Sequence, residues 1–225
     1  MEKYLYLTKQ EYAVLLHLTG KKPVTGFSID FFEDTLKKRQ LLFDLYRRGI
    51  IISTGDRFEV SEEWKAVFES VHTAEYVMWL SFEDKEKQDM LFYLCGRQAV
   101  CMENLSGPQD GRTGGRYRIT MQDTSALRAG LTEGGFFPHI RVNREDGELL
   151  DRMLGAEDDQ DSERICSVCF YRNGEPRWTE RVTVEKDRFL YFVRTESALG
   201  TERRRAGRDE FERILERYFE LRGVL

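Results

Sequence analysis

The hydrophobic positions in the first third of the chain recur at helical spacing. Thr8 and Glu11 have the spacing of a capping box, which predicts a helix over about 9–18. A second periodic stretch covers 30–48, and Gly49 follows it at a position that favours a left-handed helix end. The apolar positions of that second stretch are Phe32, Leu36, Leu42, Phe43, Leu45 and Tyr46. Both stretches are therefore predicted to be helices.

The next segment alternates like a short hairpin and then returns to helical spacing. Residues 50–60 contain a β-branched run, a Gly-Asp turn and a return strand. Ser61 is placed to cap another helix, with Trp64, Val67 and Phe68 on one side. The order helix, helix, hairpin, helix predicts a winged-helix-like segment over 1–74.

From Glu75 onward the period becomes strand-like, and the same layout is used twice. Residues 75–132 and 164–221 each show three or four strand patterns followed by an amphipathic helix. Asn-Gly at 173–174 is a strong two-residue hairpin signal. The predicted fold is α+β, with a mainly antiparallel sheet, flanking helices and two quasi-repeated strand-strand-strand-helix halves.

A connector separates the two halves. It contains two glycines and a proline near 134–138, a short predicted helix over 145–154 and an acidic loop over 157–163. The predicted units are 1–74, 75–140 and 141–225, with a single domain as the alternative.

Composition excludes several classes of protein. The chain has 225 residues with 40% hydrophobic positions, enough for a sizeable core and unlike a disordered chain. The longest stretch without a charged residue has nine residues, from Tyr12 to Gly20, far short of a membrane span. The N-terminus carries no signal-peptide pattern, so we expect a cytoplasmic protein. The net charge of −5 argues against a nucleic-acid partner.

The candidate chemistry favours a protein without catalytic activity, metal or cofactor. Cys166 and Cys169 lie in a strand-like run, where residues three apart point to opposite faces. A zinc site that also uses Cys95 and Cys101 is the alternative to four buried thiols. None of the three histidines has a recognised catalytic spacing, and the glycine-rich loop at 111–116 lacks the ending of a phosphate-binding loop.

Three segments are candidates for binding a partner. The first is the predicted long hairpin loop of 107–115 and the strand after it. The second is the pair of phenylalanines beside glycines in the connector, for which a plug in the core is the alternative. The third is an arginine run in a predicted exposed loop, for which a solvated loop is the alternative. Their residues are Arg112, Arg116 and Tyr117, then Phe136, Phe137 and His139, then Arg203, Arg204 and Arg205.

The order of elements resembles one known family. LLFDLYRRGIIISTGDRFEVSEEWKAVF, followed by FYLCGRQAVCMENL, a long loop, RYRIT and a capped helix, resembles the EspG family of type VII secretion chaperones. The resemblance implies a quasi-two-fold α+β fold. It further implies a bacterial cytosolic chaperone that holds a helical secretion substrate and shields its aggregation-prone tip.

A winged-helix transcriptional regulator is the second hypothesis. Lys37, Lys38, Arg39, Arg47 and Arg48 are the residues that would meet phosphates. Residues 1–74 carry 11 basic and 11 acidic side chains, however, whereas a DNA-binding module is usually basic. Protein binding is therefore the favoured prediction and DNA binding the alternative.

Overall fold

The structure is a computed structural model that describes residues 3–20, 23–26, 35–105, 116–133, 162–187, 190–207 and 209–221. Its elements are β1 (Leu5–Thr8), α1 (Lys9–Thr19), α2 (Thr35–Arg47), β2 (Ile51–Thr54), β3 (Arg57–Val60), α3 (Glu62–Thr73), β4 (Tyr76–Phe82), β5 (Met90–Cys95), β6 (Gln98–Asn104), β7 (Arg116–Asp123), α4 (Thr124–Glu133), β8 (Glu163–Arg172), β9 (Trp178–Asp187), β10 (Leu190–Ser197), β11 (Gly200–Arg205) and α5 (Glu210–Leu221).

Nine of the strands form one antiparallel sheet. Their order is β1-β7-β6-β5-β4-β8-β9-β10-β11, and β2 and β3 form a separate hairpin. The α+β class with a mainly antiparallel sheet is confirmed.

The quasi-repeat is also confirmed, with four strands in each half. β4–β7 followed by α4 and β8–β11 followed by α5 are two meanders that meet at β4 and β8. These two central strands pair antiparallel from Tyr76 opposite Arg172 to Phe82 opposite Cys166. Because the strand order runs outward from this pair in both directions, an approximate two-fold axis passes between β4 and β8. The outer edge of the first half is extended by β1.

The sheet has a separate apolar core on each face because successive side chains of a strand point to opposite sides. On one face, α1, α2, β2–β3 and α3 pack on the first half through residues such as Leu15, Leu45 and Phe68. On the other face, α4 and α5 cover both halves through Leu127 and Leu215. The molecule thus has three layers, with the winged-helix-like segment on one side only.

The start of α1 follows the sequence prediction in detail. The Thr8 hydroxyl accepts a hydrogen bond from Glu11 N, and the Glu11 carboxylate accepts one from Thr8 N at 2.7 Å. These two bonds satisfy amide groups that a helix start otherwise leaves unpaired. Ser61 occupies the predicted N-cap position of α3, although its side chain makes no capping hydrogen bond.

Arg203, Arg204 and Arg205 lie in the edge strand β11, so the prediction of an exposed loop was wrong. β11 pairs with β10 from Ser197 opposite Gly200 to Phe192 opposite Arg205. Arginine is compatible with this strand because each of the two faces supplies a buried carboxylate, as described below. The predicted loop of 107–115, the breaks near 134–138, the predicted helix over 145–154 and the predicted start of a helix at residue 30 lie outside the described residues. The predicted acidic loop of 157–163 is described only at its end, where Glu163 begins β8.

Candidate protein-binding surface

Helix α2 carries large apolar side chains on its solvent side. Leu36, Phe43 and Tyr46 are 75%, 58% and 49% exposed. Helical spacing places Arg39 and Arg47 on the same side, and the Arg47 guanidinium lies 6.0 Å from the centre of the Phe43 ring. We call these five residues the α2 stripe. Leu45 is the one fully buried side chain of the helix, so α2 rests on the protein by a narrow face.

The hairpin after α2 extends this surface. Gly49 has φ of 69°, a conformation that favours glycine and that turns the chain from α2 into the hairpin. Ile51 and Val60 face each other in the hairpin and are buried, which fixes its position. Phe58, two residues before Val60, therefore lies on the same side of β3, and its ring meets Tyr46 edge to face at 6.4 Å.

A groove of about 390 Å³ lies between α1, α2 and β3. We call it the α1–α2 groove. Its lining combines aliphatic and aromatic side chains with two basic residues: Ala13, Val14, His17, Leu18, Lys38, Leu42 and Phe58. His17 and Lys38 are exposed, whereas Ala13 and Val14 are buried. The groove is thus apolar at its floor and polar at its margin.

The charge of α2 is strongly one-sided. Between Thr35 and Arg47 the helix carries Lys37, Lys38, Arg39 and Arg47 against a single acidic residue, Asp44. The whole chain is acidic, so this helix is a local basic region on an acidic protein. A surface that is both apolar and basic attracts a partner that offers apolar groups flanked by carboxylates.

The residue after α2 ties the surface to the sheet. Arg48 donates from Nη1 to the Glu11 carboxylate at 2.6 Å and from Nη2 to the Tyr6 carbonyl oxygen at 2.5 Å. Tyr6 lies in the edge strand β1, and its carbonyl therefore has a partner at the sheet edge. Arg48 is thus a structural anchor that joins the end of α2 to α1 and β1.

Among the described residues, the sequence-predicted candidates do not form one patch. Arg116 is exposed at the first position of β7. Tyr117 is fully buried, and its ring meets Tyr12 edge to face at 5.6 Å, so its assignment to a binding surface was wrong. The alternation of β7 turns Tyr117 toward the core. Arg112, Phe136, Phe137 and His139 lie outside the described residues.

The three arginines of β11 are held by carboxylates. Glu185 of β9 is 6% exposed and lies 2.7 Å from Arg194 Nε and 3.0 Å from Arg203 Nε. Burial opposes its ionisation, but the hydrogen bonds from Arg203 and Arg194 outweigh burial and hold the pKa of Glu185 below its usual value.

The other side of β11 makes a second ion pair. Arg204 pairs with Glu210, the buried first residue of α5, whereas Arg203 stacks 3.9 Å from the centre of the Phe192 ring. Arg205 is buried as well. The three arginines that were predicted to bind a partner from an exposed loop therefore hold β11 against β9, β10 and α5.

The four cysteines are free and divided between the two faces of the sheet. Cys101 and Cys166 belong to the core under α4 and α5. Cys95 packs against the opposite core, and Cys169 lies across from Trp79 on that same side. Burial raises the pKa of Cys95 and Cys101 and raises that of Cys166 to about 12. In the ranges that the structure describes, His, Cys, Asp and Glu form no group of three or more suited to a metal ion.

No family model matches the chain, and no curated protein matches it. The resemblance to the EspG family rests on the order of elements and stays a prediction. Among the helices of the described segments, none is both long and apolar enough to cross a membrane.

Sequence reasoning placed an apolar face on α2 but did not foresee which way it points. The periodic pattern included Leu36, Phe43 and Tyr46 together with the packed Leu42 and Leu45. These positions cover more than one side of the helix, and this is the signal in the sequence that indicates an exposed apolar face. An amphipathic helix with a single buried stripe leaves its opposite side polar.

Proposed function

We propose that the protein is a non-enzymatic, cytoplasmic protein-binding protein that covers an apolar segment of a partner with the α2 stripe and the α1–α2 groove. The observation that carries this proposal is the exposure of Leu36, Phe43 and Tyr46 on a helix that buries Leu45 alone. Contiguous exposed apolar groups with a polar margin are typical of interaction surfaces.

A chaperone for a secretion substrate is the form of this function that the family resemblance favours. Such a chaperone must bind an apolar segment and keep it from water until the substrate is exported. An exposed stripe beside an open groove suits this task because it needs no rearrangement of the core. The quasi-two-fold arrangement of the sheet agrees with the fold that the resemblance implies.

A winged-helix regulator is the alternative, and the first turn of α2 supports it. Lys37, Lys38 and Arg39 are exposed there. Against it, Arg48 is bound to Glu11 and Tyr6, and the phosphates would meet the exposed rings of Phe43 and Tyr46. If DNA is the ligand, replacing Lys37, Lys38 and Arg39 by alanine abolishes duplex binding in a fluorescence anisotropy titration.

Photo-crosslinking in the native cytosol tests the main proposal. A benzophenone amino acid replaces Phe43 in one variant and Leu199 in a control. Leu199 is fully exposed and lies in the distant β10–β11 turn. We expect a discrete crosslinked protein from position 43 that is absent from position 199. Equal labelling from both positions, or none from position 43, would contradict the proposal.

A further inference from the structure

The partner that best fits this surface can be deduced from its charge and shape. We infer that the α2 stripe and the α1–α2 groove bind an acidic amphipathic helix, whose apolar side chains enter the groove and whose carboxylates face the cations of α2. This inference rests on the proposed function and names the chemistry of the partner.

Charge decides between acidic and basic partners. Lys38 and His17 stand at the margin of the groove, and Arg39 and Arg47 flank Phe43 on the stripe. An apolar segment that approaches Phe43 must pass the cations Lys38, Arg39 and Arg47, so carboxylates beside its apolar residues strengthen the encounter. Lysine or arginine at those positions places like charges together.

The same charges argue against a second copy of this chain as the occupant. A symmetric dimer through α2 would place the same surface on both sides of the interface. Arg39 and Arg47 of one copy would then face Arg39 and Arg47 of the other, and Asp44 is the one acid on the helix to offset them. A partner with a different, acidic sequence avoids this repulsion.

Shape favours a helical segment. The α2 stripe extends from Leu36 to Tyr46, which is about 15 Å along a helix axis. Phe58 projects beside Tyr46 at one end, so stripe and groove form a trough between two helices and a hairpin. A helix with apolar residues every three or four positions presents a continuous edge that fills such a trough.

Synthetic peptides test the inference on the full chain. The first probe is a labelled helix of about 18 residues, with leucine at positions i, i+3, i+4 and i+7 and glutamate and alanine elsewhere. The second has lysine in place of every glutamate. The third has the composition of the first in an order without an apolar face. We expect anisotropy titration to show binding of the first probe at least about tenfold tighter than either control.

Single-residue variants test whether the first probe binds at α2. Phe43→Asp and Lys38→Glu each weaken binding of the first probe by about tenfold or more because they add a negative charge beside the peptide carboxylates. Phe43 and Lys38 are both exposed, so the fold is expected to survive, which circular dichroism checks. Leu199→Asp is the matched control and leaves binding unchanged.

Several outcomes would overturn the inference. If the lysine peptide binds as tightly as the first probe, the argument from charge is wrong. If the third probe binds as tightly as the first, the argument for an amphipathic helix is wrong. Binding to vesicles rich in anionic lipid without binding to the first probe shows a membrane surface as the ligand. If no peptide binds while Phe43 still crosslinks to a protein in the cytosol, the inferred partner chemistry is wrong and the proposed function stands.

Discussion

The guanidinium of Arg48 lies 2.6 Å from the carboxylate of Glu11, a residue that is 6% exposed. This ion pair joins the residue after α2 to the first turn of α1, and the second hydrogen bond of Arg48 reaches the Tyr6 carbonyl in β1. One side chain therefore fixes the helix that carries the proposed surface relative to the edge of the sheet.

Removal of this side chain is expected to destabilise the protein. In Arg48→Ala the Glu11 carboxylate stays buried and keeps its bond to Thr8 N but loses its cation. Hydrogen bonds to charged groups contribute about 1.5–3 kcal/mol, so we expect a loss of about 2 kcal/mol in the free energy of unfolding. Urea unfolding measures this as a lower midpoint with an unchanged slope.

Matched variants separate the ion pair from the loss of side-chain volume. Arg48→Met keeps much of the volume and is expected to be nearly as unstable as Arg48→Ala. Arg47→Ala removes an exposed arginine one position earlier and is expected to change stability by less than about 0.5 kcal/mol. Equal effects at positions 47 and 48 would show that the Glu11 contact does not stabilise the fold.

Local signals in the sequence were sufficient for most of the fold. The capping box of Thr8 and Glu11 and the glycine at 49 each act within a few residues. β4 and β5 are nearly continuous apolar runs because both of their faces are covered, and this too is visible in a short window. The pattern predicts all four strands of the first half but three in the second, because the arginine run of β11 does not have an apolar alternation.

The parts that the sequence did not reveal depend on contacts between distant residues. Whether Arg203 lies in a strand or a loop depends on Glu185, 18 positions earlier in the chain. Whether Phe43 is buried depends on what packs against α2, which a helical period does not encode. The candidate surface was missed for this reason, although every one of its residues was visible in the pattern.

Two glycine substitutions, one in the Asn173–Gly174 turn and one in α4, are expected to have opposite effects on stability. Gly174 has φ of 85°, and a Cβ there would lie 2.9 Å from the Pro23 carbonyl oxygen. Asn173 beside it accepts a hydrogen bond from Thr25 N and donates to the carbonyls of Val71 and Ala74. We expect Gly174→Ala to cost about 1–2 kcal/mol from the left-handed backbone alone, and more from the contact with Pro23.

Gly130 in α4 is the control for this change. A Cβ at this helical position would meet no described atom within 4 Å, so Gly130→Ala is expected to stabilise the protein by about 0.5–1 kcal/mol. Thermal unfolding of both variants beside the parent chain tests the pair. Stabilisation by Gly174→Ala would mean that residue 174 does not adopt the left-handed backbone in solution.

The Glu185 cluster predicts a component of acid sensitivity. Since Arg203 and Arg194 hold the pKa of Glu185 below its usual value, the folded state binds this proton less readily than the unfolded state. The resulting stabilisation of the folded state is complete at pH values above the usual pKa of glutamate. It is lost as the pH falls through the lowered pKa of Glu185 in the folded protein. Glu185→Gln is expected to cost about 1–2 kcal/mol at neutral pH and less at about pH 3. If the difference in the free energy of unfolding between Glu185→Gln and the parent protein does not change with pH, this role for Glu185 is contradicted.

Thiol reactivity tests the division of the cysteines between the two faces. Cys95 is the one partly exposed thiol, and its Sγ donates to the Ser70 carbonyl oxygen at 3.0 Å, whereas Cys101, Cys166 and Cys169 are buried. A chromogenic disulfide reagent is expected to titrate one thiol in the folded protein and all four after unfolding in urea. Because burial raises the pKa of Cys95, its reaction is expected to quicken as the pH rises from about 7 to about 9. Cys95→Ser removes the fast reaction, and any fast-reacting thiol that remains in the folded variant would show that β6 or β8 is open to solvent.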